Sequence, residues 1–377
     1  MNVLTLFSYK RTPIPLLSLV VDDEDIEFYT FYFPNTGLTI NQIEDNINKF
    51  KKLFSRDNVC CNDFLSHIQA FDLDIRDSYD VYDYCIPEIK LSTNDLGRCK
   101  RALCSIIDEL IDDDYSQQWR RLVSSASLVY SVLHSRGVFC GYRKEFPRYS
   151  LQTLTGRSKT TGFNIQGTTS DDNIRSVNDN HEFFICFDWI SADICMAAHM
   201  SGDKKLLRSF TESDPYTVIS DQTGLGRDVC KNSFIRSLYA MNFDNDIFSI
   251  FPGFRSWMES RREELRMYDK VDTILGREFV LGDNRELSVF NAQFQGSVVH
   301  AMQSVLSRVF DKYPEYILTE VHDALILCCP ERVVCNIIDE VGKIMISPLE
   351  GLVDIRMPFT ISIGGHWKDW VKVRTCR

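Results

Sequence analysis

The chain has 377 residues, 44% of them hydrophobic and 25% charged, a composition that excludes a disordered or fibrous protein and allows two or three packed units. Its formal net charge of −11 would argue against a nucleic-acid partner if it were spread evenly. Residues 1–97 hold 8 Lys and Arg against 16 Asp and Glu, so the remainder is close to neutral, and phosphates meet a local groove rather than a net charge. In chain order, 16–21 and 27–33 are predicted strands around the acidic run 22–25. Residues 98–137 turn helical, with apolar side chains at 103, 106, 107, 110 and 111. A polar, Gly/Thr/Ser-rich loop over 156–182 ends at the apolar run Phe183–Phe187, a buried-strand signal that delivers Asp188 at its end. Helical patterning follows over 190–200, 228–240, 257–267 and 296–310. A second pair of buried strands, 316–321 and 324–329, flanks His322-Asp323. No apolar run approaches the ~20 residues that cross a bilayer, so no membrane partner is expected. The 13 cysteines are odd in number and contain no Cys-x-x-Cys, which suits reduced packing residues in a cytoplasmic protein.

Asp188 and Asp323 are both set at the ends of hydrophobic strands, 135 residues apart. A carboxylate there is costly without a partner, and a shared metal is the chemical reading that competes with a simple cap or turn. A second pattern lies in 227–239, where Arg227, Lys231, Ile235 and Tyr239 recur every four residues. On a helix that set drifts only ~40° per step and makes one face ~18 Å long, with two cations at one end and an aromatic at the other. Such a face suits a triphosphate at one end and a base at the other, although alone it is equally a solvated stripe.

The surrounding motifs carry a resemblance. FDWISADICMAAHMSGDKKLLRSFTESDPY resembles motif A of the family A (bacterial DNA polymerase I-like) DNA polymerases, GRDVCKNSFIRSLYA resembles motif B, and TEVHDALILCCP resembles motif C. Four connecting segments fit in the same order. GRSKTTGFNIQG is similar to the template-binding loop, TILGR to the Thr-x-x-Gly-Arg element, FNAQFQG to the Gln-Gly helix and GGHW to the closing Gly-x-x-Trp. Together they cover roughly residues 135–370.

The resemblance implies an α+β right-hand fold with an antiparallel palm sheet, helical fingers, a reduced thumb and a small acidic N-terminal domain. The implied segments are 1–97, acidic and either decayed exonuclease-like or an unrelated accessory domain; 98–155, reduced thumb and palm entry; 156–205, template loop and motif A; 206–275, fingers; and 276–377, palm. It implies template-directed addition of dNTPs to a primer 3′-end with release of pyrophosphate, without effective proofreading. Asp188 and Asp323 would be the catalytic metal ligands for two Mg²⁺ ions, with Mn²⁺ as a substitute. Arg227, Lys231, Tyr239, Asp193 and Ile235 would line the nucleotide. Arg157, Asn164, Gln166, Arg277, Asn291, Gln295 and His322 would hold the DNA, amides suiting the minor groove because its acceptors are common to all base pairs. The expected partners are primer–template DNA, dNTPs and replication accessory proteins, the expected state is a monomer, and the compact size resembles phage or virus-encoded members. A single-subunit RNA or primer-making polymerase and a non-catalytic DNA-binding remnant are the competing readings.

Four positions depart from the family pattern. Asp193 stands where glutamate is usual, Ile235 where an aromatic is usual, Ala324 where a second acidic residue follows the motif C aspartate, and Leu287 where an arginine is usual. Sugar discrimination is the property these departures put in question.

Overall fold

In the computed structural model, the described residues are 117–377 without 152, 179–182, 244–245 and 283, together with five strands of the first hundred residues. Those strands are Val3–Phe7, Leu16–Asp22 and Asp25–Phe31, which form one antiparallel sheet, and Val59–Cys61 and Ser78–Asp80, which pair in parallel. The expected strands at 16–21 and 27–33 therefore form, the second two residues early. Glu24, the exonuclease-like echo at 62–75 and the helical pattern over 98–116 lie outside the described residues. The chain divides into two units, the first being 1–137, 146–152 and 158–163. Within it, helix Gln117–Arg136 packs on the hairpin Pro147–Ser150/Lys159–Gly162, with Tyr130 stacked on Tyr149 at 4.9 Å.

The second unit, 138–145, 153–157 and 164–377, carries the site. Its centre is an antiparallel sheet of five strands, β1 (Phe183–Trp189), β2 (Ile317–Val321), β3 (Ala324–Cys329), β4 (Phe359–His366) and β5 (Asp369–Cys376), in the order β2-β3-β1-β4-β5. The run FFICF in β1 is buried because both of its faces are covered. On one face Trp189 donates its indole N–H to the Met345 carbonyl at 3.0 Å, and Phe187 meets Phe359. On the other, Phe184 lies against Trp367 and Trp370. Ladder pairing sets Asp188 opposite Ala324 on one side and Thr360 on the other.

Seven helices of this unit matter to the site: α1 (Ala192–Ser201), α2 (Lys204–Glu212), α3 (Pro215–Thr223), α4 (Arg227–Tyr239), α5 (Pro252–Tyr268), α6 (Glu286–Lys312) and α7 (Val334–Ile346). The turns between the first three are written in the sequence. Gly202 ends α1 in the left-handed conformation, Asp203 caps α2, and Asp214 followed by Pro215 opens α3. α4 buries Cys230, Phe234 and Leu238 at a spacing of four, against Tyr216, Phe248, Phe251 and Phe254 around Phe234. α6 is buried from Val289 to Leu306 almost without interruption, as a helix through the middle of a unit must be. Gly296 in α6 is required by close approach, since a Cβ there would lie 2.8 Å from the Phe279 ring.

Asp203 ties this region together. Its buried carboxylate accepts the amides of Leu206 at 2.8 Å and Phe254 at 2.9 Å, capping α2 and the first turn of α5 at once. Asp203→Ala removes both bonds and strands buried amides, so a loss of about 2–4 kcal/mol is expected. Urea titration checks this: the midpoint should fall while the slope stays constant.

Candidate active site

β1 and the β2–β3 turn bring the two aspartates together. Asp188 is the penultimate residue of β1, Asp323 is the second residue of a two-residue turn, and the Asp323 carbonyl accepts the Trp189 amide at 3.3 Å. That turn requires positive φ at its first central residue, which is His322 at φ 59 rather than the usual glycine. Histidine is among the non-glycine residues that adopt this region most readily. Burial, and then the charge of Asp323, push the Asp188 carboxyl up to about 6, while Lys372 draws it down. A carboxyl raised by burial beside a second carboxylate fits Mg²⁺, which takes one or two protein carboxylates and completes its shell with water and phosphate oxygens. No cluster of three or more His, Cys, Asp or Glu suited to a metal occurs among the described residues, so the pair stands without a third protein carboxylate, in keeping with Ala324 beside it.

A second group is assembled behind the turn that follows β1. Ser191 adopts φ 50 and its hydroxyl lies 2.9 Å from the Tyr216 hydroxyl. Asp193, in the first turn of α1, accepts a hydrogen bond from the Tyr239 hydroxyl and lies 3.5 Å from an Arg157 guanidinium nitrogen. Burial pushes the Asp193 carboxyl up, against the opposing pull of Arg157 and Tyr239. Gln295 hydrogen-bonds the Tyr239 side chain, and burial with the Asp193 charge drives the phenol well above its ordinary range. Asn291 donates to the Tyr239 carbonyl at 3.1 Å. One tyrosine at the end of α4 is thus gripped by α1 and α6.

The other end of α4 is cationic. Arg227 and Lys231 are exposed and lie 5.5 and 5.9 Å from the centre of the buried Tyr216 ring. Arg227 also donates to Asp214 at 3.0 Å. Burial raises the Asp214 carboxyl, but the hydrogen bonds from Arg227 and Thr217 outweigh it and hold the group below its ordinary range. Lys231 makes no ion pair among the described residues. Ile235 is half-buried between the two ends. Its neighbour Phe234 is fully buried in the aromatic cluster, so no ring of α4 takes the place of the missing aromatic.

The loop residues are positioned from below. Arg277 is 5% exposed and donates to the carbonyls of Thr155 at 3.2 Å and Leu154 at 3.5 Å. Gly156 sits at φ +77, where a Cβ would lie 2.7 Å from the Arg277 guanidinium. Arg277, expected on the DNA surface, is therefore placed as a support for the turn that aims Arg157 at Asp193. Asn291, also expected on that surface, is 8% exposed and bonded to backbone, leaving Gln295 as the more open of the two amides of α6. Asn164 caps a short 3-10 turn through the Gly167 amide, at 3.2 Å, and Gln166 lies within that turn. Thr168 then fixes the segment to the sheet by accepting the Trp367 indole N–H at 3.0 Å and, through its carbonyl, Lys368.

Sequence reasoning missed Tyr216, Asp214, Asp203 and Thr168 as organisers of the site. Only the first three carried a signal, in the Asp-Pro-Tyr start of α3 and the Ser-Gly-Asp turn before α2.

No family model matches the chain. Curated proteins do. DNA polymerase theta of Caenorhabditis elegans is 23% identical over 257 residues, covering 59% of this chain and 16% of the relative. The thermostable DNA polymerase I of Thermus aquaticus is 24% identical over 268 residues, 59% of this chain and 32% of the relative. DNA polymerase I of Chloroflexus aurantiacus is 24% identical over 228 residues, 49% and 24% respectively. This chain thus matches about a third or less of the length of these relatives. Among solved structures, the polymerase domain of Pol1 from M. smegmatis, in complex with DNA primer-template and dNTP, superposes with a TM-score of 0.54 at 17% identity. The match covers 65% of this chain and 51% of that one.

Proposed function

Because the chain is a relative of the family A DNA polymerases and has the α+β fold of their polymerase domain, we propose that it adds dNTPs to a primer 3′-end under the direction of a template, releasing pyrophosphate. The observation that carries this reading is the joining, in one unit, of the Asp188–Asp323 pair to the cationic face of α4 through Ser191, Asp193 and Tyr216. No helix among the described residues is long and apolar enough to cross a membrane.

Asp188 and Asp323 would hold Mg²⁺, which when bound activates the attacking 3′-oxygen and neutralises charge on the phosphates. The rest is positioning by this chain. Lys231 and Arg227 bind the nucleotide's phosphates, Tyr216 beneath them keeping both side chains extended. Tyr239 offers its ring to the base at the other end of α4. Asn164, Gln166, Gln295 and His322 face the primer–template, with Arg157 held against Asp193 and supported by Arg277. The thumb would be drawn from the first unit, and the fingers from α2 to α5. The proposed enzyme lacks effective proofreading, since an acidic run such as 22–25 is more often a solvated face than a metal site. Mixing protein, primer–template, Mg²⁺ and one dNTP should release one pyrophosphate per nucleotide added; release without extension, or no release, contradicts the reading.

Asp193 sets how strictly ribose is refused. A carboxylate beside the sugar C2′ excludes a hydroxyl by crowding, and aspartate withdraws that crowding by a methylene. Ile235 in place of a ring loosens the same wall. A merely crowded pocket rejects an added hydroxyl by only about a hundredfold. Asp193→Glu should raise the ratio of kcat/KM for dNTP over the matched rNTP; an unchanged or lower ratio removes Asp193 from this role.

A further inference from the structure

The edge strand β5 carries a cation onto the face of the sheet that bears the catalytic carboxylates, and it does so by a bulge. In the ladder Asp188 opposes Thr360, which opposes Thr375, and Cys186 opposes Ser362, which opposes Lys372. Between these two rows β4 advances two residues while β5 advances three, with a register shift between Ile361 and Ser362. Directly opposed residues in an antiparallel ladder share a face. Lys372 therefore lies on the same side as Cys186 and Asp188, in the place that an unbulged strand would give to Val373. Bulges beside active sites commonly re-aim a side chain in this way.

The neighbouring cation of β5 behaves oppositely. Arg374 opposes Ile361, a fully buried residue on the other face, and lies 3.7 Å from Asp339 of α7. Lys372 makes no ion pair within 4 Å among the described residues, is exposed, and its charge is felt at Asp188. Two strand spacings across and two residues along put its Cα about 12 Å from that of Asp188, about two phosphate-to-phosphate steps of a strand lying across the face. At the far end of the same face, Trp367 and Lys368 anchor the segment of Asn164 and Gln166. A nucleic-acid backbone running from the carboxylates towards that segment passes the β4–β5 edge, and an exposed lysine with no protein partner is suited to its phosphates.

We propose that Lys372, turned onto the active face by the β5 bulge, is a backbone phosphate contact for the bound primer–template duplex. This rests on the polymerase reading and adds to it a residue outside the motifs that support that reading. The test is the anisotropy of a labelled primer–template between about 50 and 200 mM salt, with the intact chain. Lys372→Gln should weaken binding about three- to tenfold at the lower salt and reduce the slope of log K against log salt by about one. Lys372→Arg should restore both, and Arg374→Gln, on the opposite face, should change neither. Wild-type slope and affinity in Lys372→Gln would overturn the inference. So would a loss confined to the dNTP KM at saturating DNA, or a shifted kcat–pH profile with unchanged binding, which would make Lys372 a partner of the nucleotide or of Asp188. Failure of the wild-type protein itself to bind primer–template would instead sink the polymerase reading, and this inference with it.

Discussion

Asp188→Ala and Asp323→Ala should each lower the primer-extension rate by about three orders of magnitude or more, with the fold intact. The reason is the size of the carboxylate set. With Ala324 beside Asp323 and no metal-binding cluster of three among the described residues, each aspartate would, on the proposed reading, provide half of the protein's hold on Mg²⁺, with no substitute for either. The fold should not suffer, and the sign follows from the carboxyl itself. Asp188 is held at about 6, above its ordinary value, chiefly by burial and by Asp323. A raised carboxyl favours the folded state when protonated and loses that contribution as pH rises through 6. At pH 7 its removal is therefore neutral or stabilising, whereas near pH 4 the variant forgoes that contribution. Single-turnover extension paired with thermal melts at pH 7 checks both halves. Retention of more than a few per cent of the rate, or a large fall in Tm, would place the chemistry elsewhere. If Asp188 holds metal as proposed, protons would compete for it, and activity should fall as pH drops below about 6.

Lys231→Ala should raise the dNTP KM about thirty- to hundredfold while leaving primer–template affinity within a factor of two or three. One charge-assisted contact to phosphate is worth about 2–3 kcal/mol. Lys231 can give that in full because it is committed to no carboxylate among the described residues, whereas Arg227 already shares Asp214. Arg227→Ala should accordingly cost stability at the start of α3 as well as nucleotide affinity. Nucleotide titrations at saturating DNA, set beside DNA titrations without nucleotide, separate the two ligands. Equal weakening of both would move Lys231 to the DNA track.

What was legible in the sequence had a local cause. FFICF and ALILCC are continuous apolar runs, so β1 and β3 form as buried strands and carry Asp188 and Asp323 to the same end of the sheet. The four-residue spacing in 227–239 fixes which residues share a face of α4, and the stripe Cys230, Phe234, Leu238, turned about 100° from Lys231, Ile235 and Tyr239, is the one that buries. Spacing does not say how deeply a face is covered. Asn291 and Gln295 share a face of α6, yet the first is tied to the Tyr239 carbonyl while the second stays more open. Arg277 ends a short loop motif, and nothing local signals that its guanidinium turns inward to carry the backbone of Leu154 and Thr155. β5 was not anticipated because DWVKVRTC alternates without a buried side, the pattern of an exposed edge, and its bulge exists only in pairing with β4. The loop over 156–182 holds a hairpin strand, Lys159–Gly162, that polar composition concealed. Asp203 acts through two amides 48 residues apart, a link no window of sequence contains.

The central claim, template-directed synthesis at the Asp188–Asp323 pair, is tested most directly by extension of one labelled primer on four templates that differ only in the first unpaired base. Each reaction receives Mg²⁺ and each of the four dNTPs singly, with Asp188→Ala in parallel. The account predicts addition of the complementary nucleotide in each case and none by the variant. Addition that ignores the template base, or that survives in Asp188→Ala, would contradict it.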